Sequence, residues 1–464
     1  MKIKIKNILK LLIVVTLLFA CNINTCESDN EGLCEIEKIE SFEVEEEAKI
    51  VVGVFNESFG EDLVQSFNQE NPNNKDLLSY KVIKANDKEM IEENLNQLDI
   101  IEMQREDVPL YLDKIKPFDE TFNSLLENES LSKFSKEINQ KGNYFIPFEY
   151  EGLLFAYNKT MLESFNVDLL DENNDGLADS IDSFEKIVEL ANTWRKNDEK
   201  YLDESIENIF SFPLNEQLAM LTFFENSDYR LINGNNAEQM QLNEKLLRSF
   251  ETLSLLGEKS WKFDNSLEND LKWNYEEVLE KQNAPFLLVG NWMYYDYFQT
   301  SKAYELVFSK VPSFNDKSFS PITSVSGFVL SDKNKYPNAA NKVIKHIKGL
   351  EGIQTAVNNN IIPIINEELI KINDFNIDDN TQQQIKAYQY SRPSSLQAFK
   401  QKPEKRGWDI YLENDFREIF KNVFIQEISP KEAQQQFVEK IKQWLDSENI
   451  EVEGVNNDNV EEDN

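Results

Sequence analysis

The stretch that decides the fold runs from Tyr144 to Asn158 and reads YFIPFEYEGLLFAYN. It is almost entirely apolar and aromatic, which is typical of a strand buried in a core. Glu149 and Glu151 interrupt it two residues apart, and in an extended chain such residues project to the same face. A buried carboxylate needs partners, because otherwise its pKa rises and it becomes neutral. Two interpretations stay open: a strand end with two solvated acids, or a ligand site at a chain crossing.

The length and charge of the chain restrict its class. A chain of 464 residues exceeds what one core normally holds, so two lobes are expected. Asp and Glu number 84 against 48 Lys and Arg, and the resulting net charge of −36 repels nucleic acid and anionic lipid. The composition therefore predicts a soluble protein with a neutral or cationic ligand and no nucleic-acid partner.

The histidine and cysteine content excludes several kinds of site. The single histidine of the sequence, His346, lies among lysines in VIKHIKG and is predicted to lie on a surface helix. Neither a Ser-His-Asp or Cys-His active site nor a His-rich metal site is therefore expected. Cys21, Cys26 and Cys34 all lie near the N-terminus, so the core uses neither disulfides nor thiolate ligands. Whether Cys26 and Cys34 pair stays open.

Residues 1–20 have the form of a secretory signal. Four lysines precede the apolar run LLIVVTLLFA, which is too short for a comfortable membrane span. Cys21 follows, and this ending resembles the bacterial lipoprotein box, in which the cysteine is lipidated and becomes the new N-terminus. An ordinary signal peptide with an incidental cysteine is the alternative. Residues 21–46 are interpreted as an acidic tether, and residues 447–464 as a disordered acidic tail.

Strand and helix patterns alternate from residue 48 onward. KIVVGVF predicts a strand buried on both faces, LLSYKVIKA a second strand and LDIIEM a third, with helices between them. This order favours a parallel α/β sheet, in which ligands bind at the carboxyl ends of strands. Asn56, Glu57 and the segment 104–107 lie at those ends and are candidate ligand residues.

Residues 171–182 have the pattern of a calcium loop. Oxygen-bearing side chains recur through the segment, glycine occupies the sixth position, and the seventh residue offers its backbone carbonyl. The predicted ligands are Asp171, Asn173, Asp175, Leu177, Asp179 and Asp182. The loop resembles those of dockerin modules, which also end in Asp, and the alternative is an acidic turn. A structural Ca²⁺ is the expected ion, and no organic cofactor is expected.

An aromatic cluster follows the strand predicted at residues 284–289. It reads GNWMYYDY and contains Trp292, and such a cluster is either core or a stacking platform. Sugar rings pack on aromatic planes while carboxylates and amides bind their hydroxyls. These residue types therefore favour a carbohydrate ligand.

Several motifs stand in an order that resembles a known family. Across residues 48–445 the motifs are, in order, LDIIEM, NYFIPFEYEGLLFAYNKTML, FLLVGNW, GFVLS with the helix NAANKVIKHI, and ISPKEAQQQF. In the order of these motifs the chain is similar to the extracellular solute-binding proteins of family 1, the maltose-binding type of ABC importer lipoprotein. The resemblance implies an α/β fold of two lobes, each a mixed sheet flanked by helices, with a hinge between them. It implies an N-terminal lobe of residues 47–149 plus 310–349 and a C-terminal lobe of residues 150–309 plus 350–446.

The resemblance assigns roles to individual residues. It puts the first chain crossing at Pro147–Gly152, and Glu151 at the position of a sugar-contacting acid. Trp292 matches the aromatic residue that stacks on a sugar ring. Trp408 stands in for a C-terminal stacking tryptophan, although a direct alignment puts Glu413 there.

Other positions depart from the family pattern. Asn56 and Glu57 match a first loop in which relatives have an Asp-Lys pair. Met103 stands where relatives have a tryptophan, and Glu106 where they have an aspartate. These departures put maltose itself in doubt and leave the sugar-like chemistry of the cleft intact.

The function that the resemblance implies is that of a monomeric, non-enzymatic receptor. Lipidated at Cys21 and held at the outer face of the cell membrane, it would deliver a maltodextrin-like oligosaccharide to ABC permease subunits. Its candidate ligand residues are Asn56, Glu57, Glu106, Glu151, Trp292 and Trp408. One alternative is the same fold with a polyamine or cationic peptide. Another is a glycoside hydrolase, disfavoured because Glu149 and Glu151 share one segment whereas such enzymes place their acids across the bond.

Overall fold

The structure is a computed structural model, and it describes most of the body of the chain. The described residues are 42–85, 88–194, 209–211, 244–259, 284–291, 305–319, 322–365, 376–393, 398–399 and 402–450. The leader, Cys21, most of the predicted tether, Trp292 and the acidic tail from residue 451 lie outside these ranges.

The described strands are short except for two. They are β1 (Ile50–Val54), β2 (Leu78–Val82), β3 (Ile100–Gln104), β4 (Ile115–Lys116), β5 (Ile146–Asn158), β6 (Phe210–Ser211), β7 (Phe286–Gly290), β8 (Leu306–Ser309), β9 (Ile322–Ser331), β10 (Arg392–Pro393), β11 (Ala398–Phe399) and β12 (Lys402–Arg406).

The described helices flank these strands. They are α1 (Glu57–Glu70), α2 (Lys88–Gln97), α3 (Asn123–Glu127), α4 (Glu129–Ser135), α5 (Lys159–Ser164), α6 (Phe184–Trp194), α7 (Glu244–Lys259), α8 (Pro337–Lys348), α9 (Leu350–Asn358), α10 (Asp379–Tyr388), α11 (Gly407–Glu413), α12 (Arg417–Phe424) and α13 (Pro430–Ser447). None of these described helices combines the length and the apolar character that crossing a membrane requires.

The main sheet continues from a first lobe into a second through β5. In the first lobe β1 pairs in parallel with β2 and β3, as the alternation of strands and helices predicts. β9 pairs antiparallel with β3 on one side and with the first half of β5 on the other. From Leu153 onward β5 pairs antiparallel with β7 and β8, and β6 pairs in parallel with β7. The predicted core strand is thus the strand that joins the lobes.

Each lobe has its own hydrophobic core. The first core surrounds β1, β3 and β9 and is covered by α1, α8 and α9, and the second lies under α6, α7, α12 and α13. Within β5, Leu154 and Ala156 belong to the first core, whereas Leu153 and Phe155 belong to the second. This division explains why the strand is apolar on both faces.

Several segments pack differently from the predicted boundaries, among them residues 311–319, which were expected in the first lobe but place Val311 and Phe319 in the second core. α9 was expected in the second lobe, but it packs against α1 because Ile353 and Ala356 bury their side chains in the first core. Residues 42–46 were expected in the tether, but Phe42 stacks on Phe122 with ring centroids 6.1 Å apart. The Glu45 carboxylate also accepts hydrogen bonds from the first backbone N–H groups of α8, which lack partners within the helix. The folded body therefore includes residues 42–46.

His346 is buried, and its prediction as a surface residue is wrong. The apolar face of α8 turns toward the first core, and the imidazole lies between α8 and α1. Its Nδ1 lies 2.7 Å from Glu70 Oε2, and its Nε2 lies 2.9 Å from Ser66 Oγ. The ring meets Phe67 edge-on at 5.3 Å between centroids, and burial lowers the pKa of the imidazole. A Ser-His-Glu arrangement that the sequence did not predict therefore connects the two helices.

Candidate functional site

A group of polar side chains lies on one face of three adjacent strands. β3, β9 and β5 run side by side in antiparallel pairs, and residues two apart on each strand share a face. We call this group the polar array: Glu102, Gln104, Ser324, Ser326, Glu149 and Glu151. It lies at the carboxyl end of β3, immediately before β5 crosses into the second lobe.

A β-bulge in β5 sets the orientation of the two glutamates. The register of β5 against β9 shifts between Pro147 and Glu149, and bulges of this kind redirect side chains near binding sites. Gly327 lies opposite the bulge, where an added Cβ would come within 2.4 Å of the Ile146 carbonyl oxygen and 2.6 Å of the Phe145 ring. The glycine therefore permits the close approach of β9 and β5 beside the array.

Gln104 connects one side of the array. Its Nε2 donates to Glu151 Oε2 at 2.7 Å, and its Oε1 accepts from the Ser324 hydroxyl at 2.8 Å. Ser324 Oγ also lies 3.3 Å from Glu106 Oε2, but its single proton serves the closer acceptor. Glu106 is buried, and one of its oxygens lies 3.8 Å from the Arg105 guanidinium. The structure thus brings together two of the predicted ligand residues, Glu106 and Glu151.

Ser326 connects the other side of the array. Its hydroxyl donates to Glu102 Oε1 at 2.7 Å and lies 3.5 Å from Glu149 Oε2. The second oxygen of Glu102 accepts from the Phe55 backbone N–H at 2.8 Å. Glu102 therefore has two good donors, whereas Glu149 has one distant donor that is already engaged.

Burial raises the pKa of all three carboxyl groups in the array. The pKa of Glu102 rises to about 7, because burial outweighs the hydrogen bonds from Phe55 and Ser326. Burial, followed by repulsion from Glu102 and Glu151, holds the pKa of Glu149 well above its usual range. Burial also raises the pKa of Glu151, against the hydrogen bond from Gln104. At neutral pH the array therefore retains protons that ordinary glutamates have lost.

The array has more hydrogen-bond acceptors than donors. In the described part of the chain, no lysine, arginine or histidine pairs with Glu102, Glu149 or Glu151. One serine hydroxyl, one glutamine amide and one backbone N–H serve these three carboxyl groups. Several of their oxygens therefore accept no hydrogen bond from the described part of the chain.

Asn291 holds the chain crossing next to the array. Its Nδ2 donates to the Tyr150 carbonyl at 2.9 Å, and its Oδ1 accepts from the Gly152 N–H at 3.1 Å. The Tyr388 hydroxyl donates to the Gly152 carbonyl at 2.8 Å, and its ring stacks on Tyr150 at 5.0 Å. The crossing is therefore fixed by side chains from several distant parts of the sequence.

The remaining predicted ligand residues have other positions. Asn56 caps α1, because its Oδ1 accepts from the Phe59 N–H at 3.0 Å, and Glu57 is exposed in the first turn of that helix. Trp408 belongs to α11, but its side chain lies outside the described part, as does the whole of Trp292. The roles assigned to these two tryptophans stay predictions.

The predicted calcium loop contains a sharp bend at Gly176, where φ is 89°. The carboxylate of Asp171 accepts from the backbone N–H groups of Asp175 and Gly176 at 3.1 and 2.9 Å. Asp175 also pairs with Lys310. Among the described residues, no group of three or more acidic, histidine or cysteine side chains is arranged to hold a metal ion. Calcium binding at this loop stays a prediction.

Comparison with known proteins identifies the fold. No protein-family model and no curated protein matches the sequence. The structure of a maltose-binding periplasmic protein from Listeria monocytogenes, in complex with maltose, matches with a TM-score of 0.62 at 14% identity, covering 87% of this chain and 99% of that one. A cyclo/maltodextrin-binding protein complexed with maltotetraose matches with a TM-score of 0.62 at 13% identity, covering 86% and 98%. An extracellular solute-binding protein from Staphylococcus aureus, in complex with maltose, matches with a TM-score of 0.61 at 14% identity, covering 87% of this chain and 99% of that one.

The chain has the maltose-binding type of solute-binding fold. This confirms the two-lobe α/β architecture that the sequence motifs implied, although at 12–14% identity the similarity extends to the fold alone. β5 continues from the sheet of the first lobe into that of the second, and the polar array lies on the first-lobe side of this crossing.

Sequence reasoning missed several residues of the array. Glu102 lies within the third predicted strand and was not singled out, and neither were Ser324 and Ser326, whereas Gln104 belongs to the segment 104–107 that was predicted to contact a ligand. The available signal was the spacing of polar residues two apart inside apolar strands, as in EMQ and SVS. Asn291 was noted only as the residue before Trp292.

Proposed function

We propose that the protein is the solute receptor of an ABC importer and binds a carbohydrate in the interlobe cleft. The solute is a maltose- or maltodextrin-like oligosaccharide, which the receptor delivers to the permease subunits without catalysing a reaction. The similarity of fold to a maltose-binding protein and to a maltodextrin-binding protein supports this proposal. Lipidation at Cys21 would hold the receptor at the outer face of the cell membrane.

The polar array is the observation that carries the proposal. A sugar hydroxyl donates one proton and can accept two, so a site with unpaired acceptors can receive the protons of several hydroxyls at once. Carboxyl groups of Glu149 and Glu151 supply such acceptors at the crossing, with Glu106 beside them. Burial keeps bulk water from competing for these oxygens, which strengthens each hydrogen bond to a solute.

Isothermal titration calorimetry tests the proposal. The chain from residue 22 onward is titrated with maltose to maltoheptaose, with other disaccharides and with spermidine. We expect micromolar binding to one glycan series and a loss of that heat in Glu151→Ala. Glu61→Ala is the matched control, because Glu61 is exposed on α1 and is not among the candidate ligand residues. The absence of heat with every glycan contradicts the proposal.

A cationic solute, such as a polyamine or cationic peptide, is the second candidate. It is favoured by the three array carboxyls that no described cation neutralises. An ammonium group donates to several acceptors at once and lowers the pKa of the carboxyls that it contacts. Heat with spermidine and none with glycans, together with proton release on binding, supports this candidate.

The lipid anchor needs a separate test. Metabolic labelling with a radioactive fatty acid in the native host should label the protein, and Cys21→Ala should abolish the label. A labelled Cys21→Ala variant contradicts lipidation at this residue. Co-purification of the receptor with permease subunits from detergent extracts tests the partnership with the transporter.

A further inference from the structure

Arg406 is buried where the lobes meet, and two of its nitrogens are unused. It is 3% exposed and forms the end of β12, directly before α11. Its Nη2 donates to Asp409 Oδ1 at 3.3 Å, and its backbone N–H donates to Asp409 Oδ2 at 2.7 Å. Its Nε and Nη1 are buried and make no hydrogen bond within the part of the chain that the structure describes.

The guanidinium extends from the second lobe to the loop that follows β3 in the first lobe. α11 belongs to the second lobe, where Ile410 and Tyr411 pack in the second core. Arg406 Nη1 lies 3.8 Å from Asp107 Oδ1 in the first lobe, beyond hydrogen-bonding distance. Asp107 follows Glu106 in the loop at the carboxyl end of β3, where α/β sheets bind their ligands.

Buried N–H groups without an acceptor are rare in folded proteins and are destabilising. They are expected where a ligand supplies the missing acceptor. Asp107 and Asp409 already balance the charge of Arg406, so an additional anion gains little there. The acceptor that fits is therefore a neutral oxygen.

Arg406 distinguishes between the two candidate solutes. An arginine side chain only donates hydrogen bonds, whereas the carboxylates of the array only accept them when ionised. A hydroxyl group can satisfy both, because it donates to the array and accepts from the guanidinium. A polyammonium solute has donors alone and leaves the nitrogens of Arg406 unsatisfied.

We propose that Arg406 is a specificity-determining residue of the cleft, which donates through Nε and Nη1 to oxygen acceptors of a neutral, polyhydroxylated solute. This inference rests on the proposed function and deepens it, because it selects the carbohydrate over the cationic solute.

Calorimetry with maltotriose compares the wild type with Arg406→Lys. Lysine keeps the positive charge between Asp107 and Asp409 but lacks the planar fork of donors. Maltotriose affinity should fall by about 10- to 100-fold, the range expected when hydrogen bonds to a charged donor are lost. Arg417→Lys is the control, because Arg417 pairs with Asp415 at an exposed site. The affinity of this variant for maltotriose should match that of the wild type. Thermal unfolding verifies that each variant is folded.

Asp107→Asn separates recognition of the solute from closure of the lobes. If Arg406 contacts the solute, this variant should lose much less affinity than Arg406→Lys. If both variants weaken every solute by the same factor, Arg406 only links the lobes and the proposal is overturned. Unchanged maltotriose affinity in Arg406→Lys also overturns it.

Two further outcomes concern the wild type. If it binds spermidine but no glycan, both the proposed carbohydrate function and the role of Arg406 are overturned. If Arg406→Lys does not fold, the proposal is tested instead by the Nε–H nuclear magnetic resonance signal of Arg406 in the wild type. Maltotriose should shift this signal and slow its hydrogen exchange, and an unchanged signal overturns the proposal.

Discussion

The side-chain amide of Gln104 donates a 2.7 Å hydrogen bond to the carboxylate of Glu151, and so joins the strand that ends at the cleft to the strand that crosses between the lobes. A solute that contacts Glu151 therefore also acts on the contact between β3 and β5. If the protein is the proposed receptor, a solute bound at this pair contacts the strand that continues into the second lobe, where closure of the lobes would act on it.

Replacing Glu151 should weaken solute binding strongly. Glu151→Ala removes an acceptor of the array and leaves the Gln104 amide without its partner, so the affinity for the bound glycan should fall by about 10- to 100-fold. Gln104→Ala should have a smaller effect, because Glu151 remains. Calorimetry measures the affinities of both variants, with Glu61→Ala as the exposed control. Equal affinities in Glu151→Ala and in the control would show that Glu151 does not contact the solute.

The raised pKa of Glu102 should make stability depend on pH. Its pKa is about 7 in the folded chain and 4.5 in the unfolded chain, so between these values the folded state keeps a proton that the unfolded state has lost. The free energy of unfolding should therefore decrease as the pH rises from about 4.5 to about 7, by about 3 kcal/mol at most.

Glu102→Gln should reduce this dependence, while the raised pKa values of Glu149 and Glu151 leave a remainder of the same sign. The glutamine oxygen can still accept from Phe55 or Ser326, while the side chain no longer titrates. Urea unfolding at four pH values between 4.5 and 7.5 compares the variant with the wild type, and Glu57→Gln serves as the control. Parallel curves for the wild type and Glu102→Gln would contradict the raised pKa.

The sequence predicted the order of the elements because that order depends on local patterns. The apolar runs at β1, β3 and β5 and the polar segments between them are visible without any tertiary contact. The array was harder to predict, since Glu102 and Ser326 are 224 residues apart and become neighbours only through the pairing of β3 with β9. His346 was misplaced because the lysines around it indicate a solvated surface, whereas the pairing with Glu70 compensates for its burial.

Lys348 should give a pH dependence of the opposite sign. It is fully buried, its ammonium donates to the carbonyls of Pro147 at 2.8 Å and Ile364 at 3.3 Å, and burial lowers its pKa to about 7. Between pH 7 and 10.5 the unfolded chain holds a proton that the folded chain lacks, so the free energy of unfolding should increase with pH in this window. Lys348→Met should reduce that increase, and Lys133, whose pKa burial lowers to about 8, should account for part of the remainder.

Chemical unfolding at pH 6.5, 8 and 9.5 measures this effect. Lys342→Met is the control on the same helix, because Lys342 is only half-buried and contacts Asn74. Since Lys348 bridges the crossing strand and the segment 361–365, Lys348→Met should also change the affinity for the solute at pH 6.5. A wild-type stability that stays constant from pH 7 to 9.5 would contradict the lowered pKa.

Calcium should raise the melting temperature if the loop at residues 171–182 is a metal site. Binding to the folded state alone stabilises it in proportion to the logarithm of the free calcium concentration. The ion must displace Lys310 from Asp175, so Lys310→Met should increase the calcium response and Asp171→Asn should remove it. Thermal unfolding in EDTA and in millimolar calcium measures the response. Equal melting temperatures in both buffers would identify the loop as an acidic turn.

The Ser66, His346 and Glu70 side chains should stabilise the contact between α1 and α8 without hydrolysing esters. Ser66 Oγ also lies 3.1 Å from the Leu63 carbonyl of its own helix, a bond that competes with activation by the imidazole. His346→Gln removes the buried contact with Glu70 and should lower the free energy of unfolding by about 1–3 kcal/mol. Thermal unfolding and the hydrolysis of p-nitrophenyl acetate compare the wild type with His346→Gln and Ser66→Ala, with Ser58→Ala as the exposed control on α1. A hydrolysis rate above background that both Ser66→Ala and His346→Gln abolish would make this group a catalytic site.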